Sequence, residues 1–306
     1  MLLLIKYTLL YGIVLMLVAL GGMFSEHSGV INIALEGIMV VGGLAGVLVT
    51  ASLPTTMAPA LIVLAAVVAA AVCGMLYSLL LAFASINLKA DQTIGGTALN
   101  MLATAIAMIL AKHFNGSTSA KISYTNKPFL FSIGGLELSI FIPLGIVLLV
   151  VSYIVMYKTR FGLRLRACGE HPQAADSVGI NVYRMRYAGV LISGFLGGLG
   201  GIVFITAGVS EWRFEYGVAG FGFLSLAVMI FGQWKPTRIA LAALLFGFFR
   251  ALGNVYTGFA FLKVMNLPSS VYNMLPYIIS LIVLAFTSKN SRAPKAEGIP
   301  YDKGQR

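Results

Sequence analysis

The chain has 306 residues, of which 59% are hydrophobic and only 10% are charged. A soluble domain carries roughly 25% charged residues, so this composition excludes a globule dissolved in water and indicates a protein dissolved in lipid. The net charge of +11 does not indicate nucleic-acid binding, because the cations lie beside apolar segments and no polar segment is long enough to form a groove-binding domain.

Apolar runs that approach the roughly 20 residues of a spanning helix follow one another along the chain. The clearest are Leu9–Leu20 with its flanks, Val30–Thr50, Ala60–Ala84, Leu138–Tyr157, Tyr187–Gly208, Phe221–Gly232, Ile239–Leu252 and Tyr272–Phe286. Each run is continuous, whereas the strands of a membrane barrel alternate apolar and polar residues, so the runs predict helices. We therefore predict an all-α polytopic membrane protein with about eight to ten transmembrane helices.

These helices are predicted to form one transmembrane domain over residues 1–288. The first span is expected to be retained, because the residues at its end are not a strong signal-peptide cleavage site. Residues 289–306 are polar and are predicted to form a flexible cytoplasmic tail.

Lysine and arginine residues mark two segments as cytoplasmic. They are concentrated in residues 158–186 and again after residue 288, and the positive-inside rule places both segments in the cytoplasm. Four spans fit between them, at about 187–208, 219–233, 237–258 and 271–287. In the first half a simple count gives five spans, which would place the N-terminus outside. A break near Ser25–Gly37 or Asp91–Gly96 would change that count, so the side of the N-terminus stays open.

A polar island over residues 160–186 contains the start and stop signals of a short helix. Pro172 suits the first helical position because its missing N–H would be unpaired there, and Gly179 suits the left-handed residue that ends a helix. Membrane topology requires only the cations of this island and not a capped helix. We therefore predict that the helix contacts a cytoplasmic partner; a solvated loop whose arginines only set the topology is the alternative.

The sequence around this helix resembles a known family. Residues Gly162–Asn181 resemble the cytoplasmic coupling loop of ABC importer permeases of the branched-chain amino acid and ribose superfamily. The matching positions are Arg166, Ala167, Gly169, Ala174, Ala175, Gly179 and Ile180. Ser25–Gly37 is similar to the signature S-E-R-x-G-V-x-N-I-x-L-E-G of nucleoside-type permeases, with His27 in place of the usual arginine. Ala90–Asn100 is similar to the family segment A-D-x-x-x-x-G-x-x-L-N.

The resemblance implies the larger, type II-like importer fold and a role as the permease subunit of an ATP-binding-cassette importer that works by alternating access. The implied partners are a second, related permease chain in a heterodimer, cytoplasmic ATPase subunits and an extracytoplasmic substrate-binding protein. The sequence contains no Walker A motif, so we expect a transport subunit that is not an enzyme and binds no cofactor, with ATP used by the partner subunit. The implied location is the bacterial cytoplasmic membrane, crossed several times, with the C-terminus in the cytoplasm.

The same resemblance predicts which residues of the coupling loop, residues 158–186, contact the ATPase. They are Arg166, Gly169, Glu170, Ala174, Ala175, Asp176 and Gly179. A charge introduced by Ala175→Asp is then expected to disturb docking. Nucleosides are the first expected substrates because of the Ser25–Gly37 signature, followed by ribose or other simple sugars and then by branched-chain amino acids. An ion-coupled secondary transporter is the alternative from another class, and it would require carboxylates at the bilayer midplane.

Polar residues within the predicted spans are costly in lipid and therefore need a role. Asn32 and Glu36 share a helical face, and Thr97 and Asn100 form a second polar notch. These four residues are candidates for lining the substrate pathway. The alternative is structural, because each pair could equally tie a broken helix or link two helices.

A charged and aromatic segment follows the span at about 187–208. Glu211, Arg213 and Glu215 are candidates for docking the binding protein through charge pairs, which orient partners more than they hold them. No catalytic grouping and no metal-ligand spacing occurs in the sequence, so no metal site is predicted. Cys73 lies within a span and Cys168 lies in the polar island, so no disulfide is predicted either.

Overall fold

The computed structural model describes residues 2–54, 56–116, 118–133, 136–207, 210–258, 269–287 and 293–304. Its helices are α1 (Leu2–Glu26), α2 (Leu35–Ser52), α3 (Pro59–Ala82), α4 (Gln92–Asn115), α5 (Phe141–Lys158), α6 (Arg160–Glu170), α7 (Pro172–Ser177), α8 (Val182–Ile205), α9 (Phe221–Phe231), α10 (Pro236–Val255) and α11 (Ser269–Thr287). Its strands are β1 (Lys121–Ser123), β2 (Leu130–Ile133), β3 (Leu136–Ser139) and β4 (Glu211–Arg213). A π-helical turn at Phe83–Asn87 extends α3.

Seven of these helices are long and apolar enough to cross a membrane, namely α1 to α5, α8 and α10. The apolar helix α9 has 11 residues and is shorter than a full span, and α11 has 19 residues. With α9 and α11, nine helices of the described chain can contribute to the membrane domain, within the predicted eight to ten. The prediction of an all-α polytopic membrane protein is confirmed.

Helix α8 lies at the centre of the bundle and packs against α1, α2 and α3. Its glycines let the neighbouring backbones approach closely: a side chain at Gly198 would collide with the backbone of Ala70 in α3, and one at Gly201 with the backbone of Met39 in α2. Lipid tails are as apolar as the side chains, so membrane helices associate through such close contact rather than through a hydrophobic driving force.

The chain unwinds between α1 and α2. Ser25 Oγ donates to the carbonyl oxygen of Val30 at 2.7 Å, and Ser28 Oγ donates to the carbonyl oxygen of Ser25 at 2.6 Å. Gly29 adopts a φ of +93°, which side chains disfavour. These features end α1, and α2 begins only at Leu35, so the chain is broken near Ser25–Gly37, one of the two places where the sequence left a break open.

The other place where a break was left open, near Asp91–Gly96, is the turn from α3 into α4. The Asp91 carboxylate caps α4 by accepting from the backbone N–H groups of Thr93 and Ile94 at 2.8 and 2.9 Å. Such a cap satisfies N–H groups that have no partner within the helix. The segment is therefore the ordinary start of α4, and it does not interrupt a span.

The bundle has two different ends. We call the end that carries residues 27–34, α6 and α7 the island end, and the end that carries the four strands the strand end. Lys6, near the start of α1, lies at the strand end, where its Nζ is 3.5 Å from Glu137 Oε2. Helices α1 to α5 alternate in direction, so the start of α1 and the end of α5 lie at opposite ends of the bundle.

Two short antiparallel pairs at the strand end were not predicted. β1 pairs with β4, and β2 pairs with β3. The Tyr124 hydroxyl, which follows β1, donates to the carbonyl oxygen of Ile205 at 2.7 Å and fixes the strands to the end of α8. Strands of three or four residues are too short for their alternation to be recognised in the sequence.

Residues 293–304 correct the expectation of a flexible tail. They lie against the island end, where the N–H of Ala296 donates to the carbonyl oxygen of Gly169 at 2.8 Å and the N–H of Gly298 donates to that of Gly29 at 3.2 Å. Ala296 and Tyr301 are buried. The polar composition of the segment misled the prediction, because backbone hydrogen bonds to distant residues leave no mark on composition.

Candidate functional site

The polar island folds into two helices, α6 and α7, that meet at His171. Pro172 starts α7 and Gly179 follows its end with a φ of +85°, so the short helix predicted between these two residues is present. Asn181 then caps α8, because its Oδ1 accepts from the N–H of Arg184 at 3.0 Å. The island is therefore an ordered corner between α5 and α8, of which the sequence predicted only α7.

The predicted coupling residues divide between two faces of this corner. Glu170 and Ala174 are exposed and Asp176 is partly exposed, whereas Gly169 is buried. Gly169 lies where α6 touches the break after α1, since a side chain there would collide with the carbonyl oxygen of His27. Only part of the predicted set is therefore accessible to another subunit.

Ala175 faces the interior of the permease. It is 4% exposed and packs against Cys168 and Tyr301. An aspartate at this position would place a charge inside the chain and destabilise α7 itself, so Ala175→Asp does not test docking as expected from the sequence. The residues of α7 that are exposed are Gln173, Ala174 and Ser177, and Val178, directly after the helix, has an apolar side chain that is 74% exposed.

Arg166 and His27 lie at the contact between α6 and the break. The Arg166 guanidinium carbon is 4.9 Å from the ring centre of Tyr157, a cation–π contact. His27 Nε2 is 3.2 Å from the carbonyl oxygen of Trp234, and burial lowers the pKa of His27 to about 4. The imidazole is therefore neutral at pH 7, in the position where the signature that it resembles has an arginine.

Three of the four candidate pathway residues line one cavity. This cavity, of about 460 Å³, lies between α2, α4 and α9 and is lined by Glu36, Thr97, Asn100, Met101, Thr104, Ala105, Met108 and Phe223. The Thr97 hydroxyl donates to the carbonyl oxygen of Thr93 at 2.8 Å, and its oxygen keeps the capacity to accept a hydrogen bond. The cavity thus combines hydroxyl groups with an apolar and aromatic wall.

Glu36 holds the start of α9. Its Oε1 accepts from the N–H of Gly220 at 2.9 Å, and its Oε2 accepts from the N–H of Gly222 at 2.7 Å. A carboxylate at this place satisfies two N–H groups that no helical carbonyl reaches and also suits the positive end of the helix dipole. Glu36 therefore stabilises the start of α9 in addition to lining the cavity.

Asn100 and Asn32 also hold the break in place. Asn100 Oδ1 accepts from the N–H of Gly37 at 2.7 Å, and its Nδ2 donates to the carbonyl oxygen of Ile33 at 2.9 Å. Asn32 lies outside the cavity, fully buried, and its Nδ2 donates to Ser193 Oγ in α8 at 2.8 Å. The sequence left open whether Asn32 lines the substrate pathway or links two helices, and its geometry matches the link.

The three candidate docking residues lie together at the strand end. Glu211 Oε2 is 2.6 Å from Lys121 Nζ, and Arg213 Nε is 3.9 Å from Glu211 Oε1. Arg213 and Glu215 are exposed. The charge of Glu211 is thus already compensated within the chain, while Arg213 and Glu215 present theirs to solvent.

The sequence reasoning missed Arg250 within α10. Its guanidinium carbon lies 5.5 Å from the ring centre of Phe221, and one turn later Asn254 Nδ2 donates to the hydroxyl of Tyr11. An arginine within an apolar helix is costly, and this signal was present in the sequence. Among the residues that the structure describes, no three histidine, cysteine, aspartate or glutamate side chains come together as a possible metal site.

A family model described as "Branched-chain amino acid transport system / permease component" matches residues 4–284. The nucleoside ABC transporter permease protein NupC of Lactococcus lactis is 41% identical over 310 residues, which cover 97% of this chain and 96% of that protein. The guanosine ABC transporter permease protein NupQ of Bacillus subtilis is 41% identical, with 98% and 96% covered. A second L. lactis protein, the nucleoside ABC transporter permease protein NupB, is 32% identical over 109 residues, which cover 36% of this chain and 30% of that protein.

No solved structure matches the chain. The family model covers most of the sequence, and two relatives align with it from end to end. A bundle of long apolar helices with an ordered polar corner agrees with their description as permeases. The chain therefore belongs to the branched-chain amino acid transport family of ABC permease components, and it is a multi-pass membrane protein.

Proposed function

We propose that this chain is a transmembrane permease subunit of an ATP-binding-cassette importer that takes up nucleosides. The observation that carries the proposal is the 41% identity, over nearly the whole chain, to permeases named for nucleosides and for guanosine. ATP is bound and hydrolysed by a separate subunit, and this chain needs no cofactor of its own. Alternating access of the pathway to the two sides of the membrane moves the substrate.

The island end is the cytoplasmic end in this proposal. It carries the cations of residues 158–186, which the positive-inside rule assigns to the cytoplasm. Residues 293–304 lie at the same end, so the C-terminus is cytoplasmic, whereas the start of α1 and the strand end face outward. The ATPase then meets α7, and the delivering binding protein meets the strand end near Arg213 and Glu215.

The cavity between α2, α4 and α9 is the proposed segment of the substrate pathway. Its volume of about 460 Å³ is within the range of small-molecule sites, and it opens at the surface of the bundle. A second permease chain, packed against the exposed face of α4, would close it. The similarity to both NupC and NupB, two permeases of L. lactis that share the description nucleoside ABC transporter permease protein, supports a related but different chain as that partner.

Thr97→Val tests whether the cavity contacts the substrate. Valine keeps the shape of threonine but cannot accept a hydrogen bond from a nucleoside hydroxyl, so the KM of uptake is expected to rise about 3- to 10-fold with little change in protein amount. The control is Thr93→Val, one turn earlier in α4 and outside the cavity wall. Equal KM values in both variants would remove Thr97 from the pathway.

Uptake of labelled guanosine and uridine tests the proposed function. Cells that lack this gene would be compared with cells in which it is restored, with excess ribose or leucine as competitors and with ATP depletion. We expect restored, ATP-dependent uptake that unlabelled nucleoside blocks and that neither competitor affects. Block by ribose or leucine would reassign the substrate, and uptake that follows an ion gradient after ATP loss would overturn the importer itself.

A further inference from the structure

The segment of residues 293–304, which we call the strap, crosses the island end and touches several parts of the chain at once. Its backbone bonds the carbonyl oxygen of Gly169 at the end of α6 and that of Gly29 in the break. A side chain at Gly298 would collide with Ile31, so the strap lies directly on the break. The strap therefore joins α6 to the connection between α1 and α2.

Tyr301 connects the strap to α7. Its side chain is buried against Ala175 of α7, and its ring meets the ring of Tyr183 edge-on at 5.4 Å. The Arg186 guanidinium carbon lies 6.0 Å from its ring centre. Burial and the nearby Asp176 carboxylate raise the pKa of the Tyr301 hydroxyl, and both residues line the same groove. The buried face of α7 thus rests on one tyrosine of the strap.

Residues of α7 and of the strap form the two walls of a groove. Its volume is about 750 Å³, and its walls include Gln173, Asp176 and Ser177 on one side and Asp302 and Lys303 on the other. Asp302 Oδ2 is also 2.8 Å from Lys89 Nζ in the turn between α3 and α4. This exposed ion pair contributes little to stability, and it places the end of the strap beside the turn between α3 and α4.

Helix α7 cannot hold its own position. It has six residues, and helices of that length are unstable in water without tertiary contacts. Its exposed face, with Ala174 and Val178, offers nothing to the permease, so the contacts of its buried face with α6, α8 and Tyr301 determine where it lies. Tyr301 belongs to the segment that is hydrogen-bonded to the break at Gly29, whereas α8 is bonded to the break further along, through Ser193 and Asn32.

We propose that Tyr301 is a positioning residue, which fixes α7 on the strap and thereby links the movement of α7 to the break beside Gly29. The inference rests on the proposed function, in which the ATPase moves α7. In the structure the contacts run from the buried cluster that Tyr301 shares with Ala175 of α7, along the strap, to Gly298 and Gly29. The break in turn leads into α2, whose Glu36 forms part of the cavity wall.

The test uses the complete importer in proteoliposomes, with its ATPase and second permease, and measures guanosine uptake and ATP hydrolysis together. Tyr301→Ala is expected to keep ATP hydrolysis within about twofold while uptake per ATP falls about 3- to 30-fold, the usual size of a lost coupling contact. Tyr301→Phe keeps the ring and removes only the hydroxyl near Asp176, so a smaller loss is expected. Ile299→Ala, at an exposed position of the same strap, is the matched control and should behave as wild type.

An unchanged uptake-to-hydrolysis ratio in Tyr301→Ala, or an equal fall in Ile299→Ala, would overturn the positioning role. If Tyr301→Ala does not assemble, Tyr301→Phe decides, and a wild-type ratio in that variant overturns the inference. Failure of the proposed function is a different result, because the wild-type importer would then show no ATP-dependent uptake of guanosine.

Attachment of the strap is expected to depend on pH through Glu297. Its carboxyl lies beside that of Glu26, which accepts a bond from Trp234 Nε1, and burial raises the pKa of Glu297 from 4.5 to about 7. Other titratable or charged groups at this junction are His27, which is neutral at pH 7, and the guanidinium groups of Arg166 and Arg186. A raised carboxyl pKa favours the folded state fully below pH 4.5, and this contribution is lost as the pH rises through about 7.

Limited trypsin digestion at Lys295 and Lys303 checks this expectation. The strap should be cleaved faster at pH 8 than at pH 6, after correction for the pH dependence of trypsin on a peptide substrate. Glu297→Gln cannot ionise, so cleavage of this variant should be nearly the same at both values. The same pH response in wild type and variant would contradict the role of Glu297.

Discussion

Val178→Asp should abolish uptake by preventing the ATPase from binding. Val178 is the most exposed apolar side chain beside α7, and in the proposed importer the ATPase covers it. A charge buried there without a partner is expected to cost about 2–4 kcal/mol, or a roughly 30- to 1,000-fold weaker ATPase binding. Retention of the ATPase during purification of the permease in mild detergent measures the effect directly.

The matched control is Ile299→Asp, which also replaces an exposed apolar residue at the island end by a charge but lies in the strap away from α7. The amount of each permease in the membrane should equal that of wild type, because neither position is buried within the chain. Normal ATPase retention and uptake in Val178→Asp would exclude Val178 from the docking surface. A loss of permease from the membrane would instead indicate a role in folding.

Glu36→Ala should destabilise the permease more than it weakens substrate binding. The change leaves the N–H groups of Gly220 and Gly222 without their acceptor at the start of α9. Each buried N–H that loses its partner costs about 1–3 kcal/mol, so the two together are expected to lower the free energy of unfolding by about 2–6 kcal/mol. The measurement is the Tm of the purified permease, followed by the fluorescence of a thiol-reactive dye at Cys73 and Cys168.

Glu36→Gln separates this role from substrate recognition. The glutamine oxygen can still accept one of the two bonds, so its Tm should lie between those of wild type and Glu36→Ala. Thr97→Val, which changes the same cavity without touching α9, should keep the wild-type Tm. A wild-type Tm in Glu36→Ala together with a raised KM for guanosine would show that Glu36 serves the substrate and not α9.

Much of the architecture followed from the sequence because the physics of the bilayer is local. A spanning helix must satisfy its own backbone hydrogen bonds, so a continuous apolar run is sufficient to predict it. Backbone signals that involve one or two residues were equally readable. Pro172 and Gly179 marked α7, and Gly29 lies in the segment after α1 where the sequence left a break open.

The function of the polar residues was much less predictable, because it depends on partners far away in the chain. Glu36 and Gly222 are 186 positions apart, and Asn32 and Ser193 are 161 positions apart. No rule based on sequence spacing predicts a hydrogen bond between residues so far apart. The sequence therefore placed Asn32 and Glu36 on one helical face, whereas the fold directs one to α8 and the other to the start of α9.

The sequence by itself determined that the protein lies in a lipid bilayer, that its fold is all-α, that the polar island contains a helix, and which family it resembles. Only the tertiary structure decided which face of each polar segment is available to a partner. Ala174 and Ala175 are adjacent in the sequence, yet one is exposed and the other lies in a buried cluster that includes Tyr301, more than 120 positions later. The side chains of neighbouring helical residues point about 100° apart, so they face different surroundings. A short sequence motif includes both residues and does not distinguish them. Only the segment that packs against the helix decides which of the two is buried and which can contact a partner.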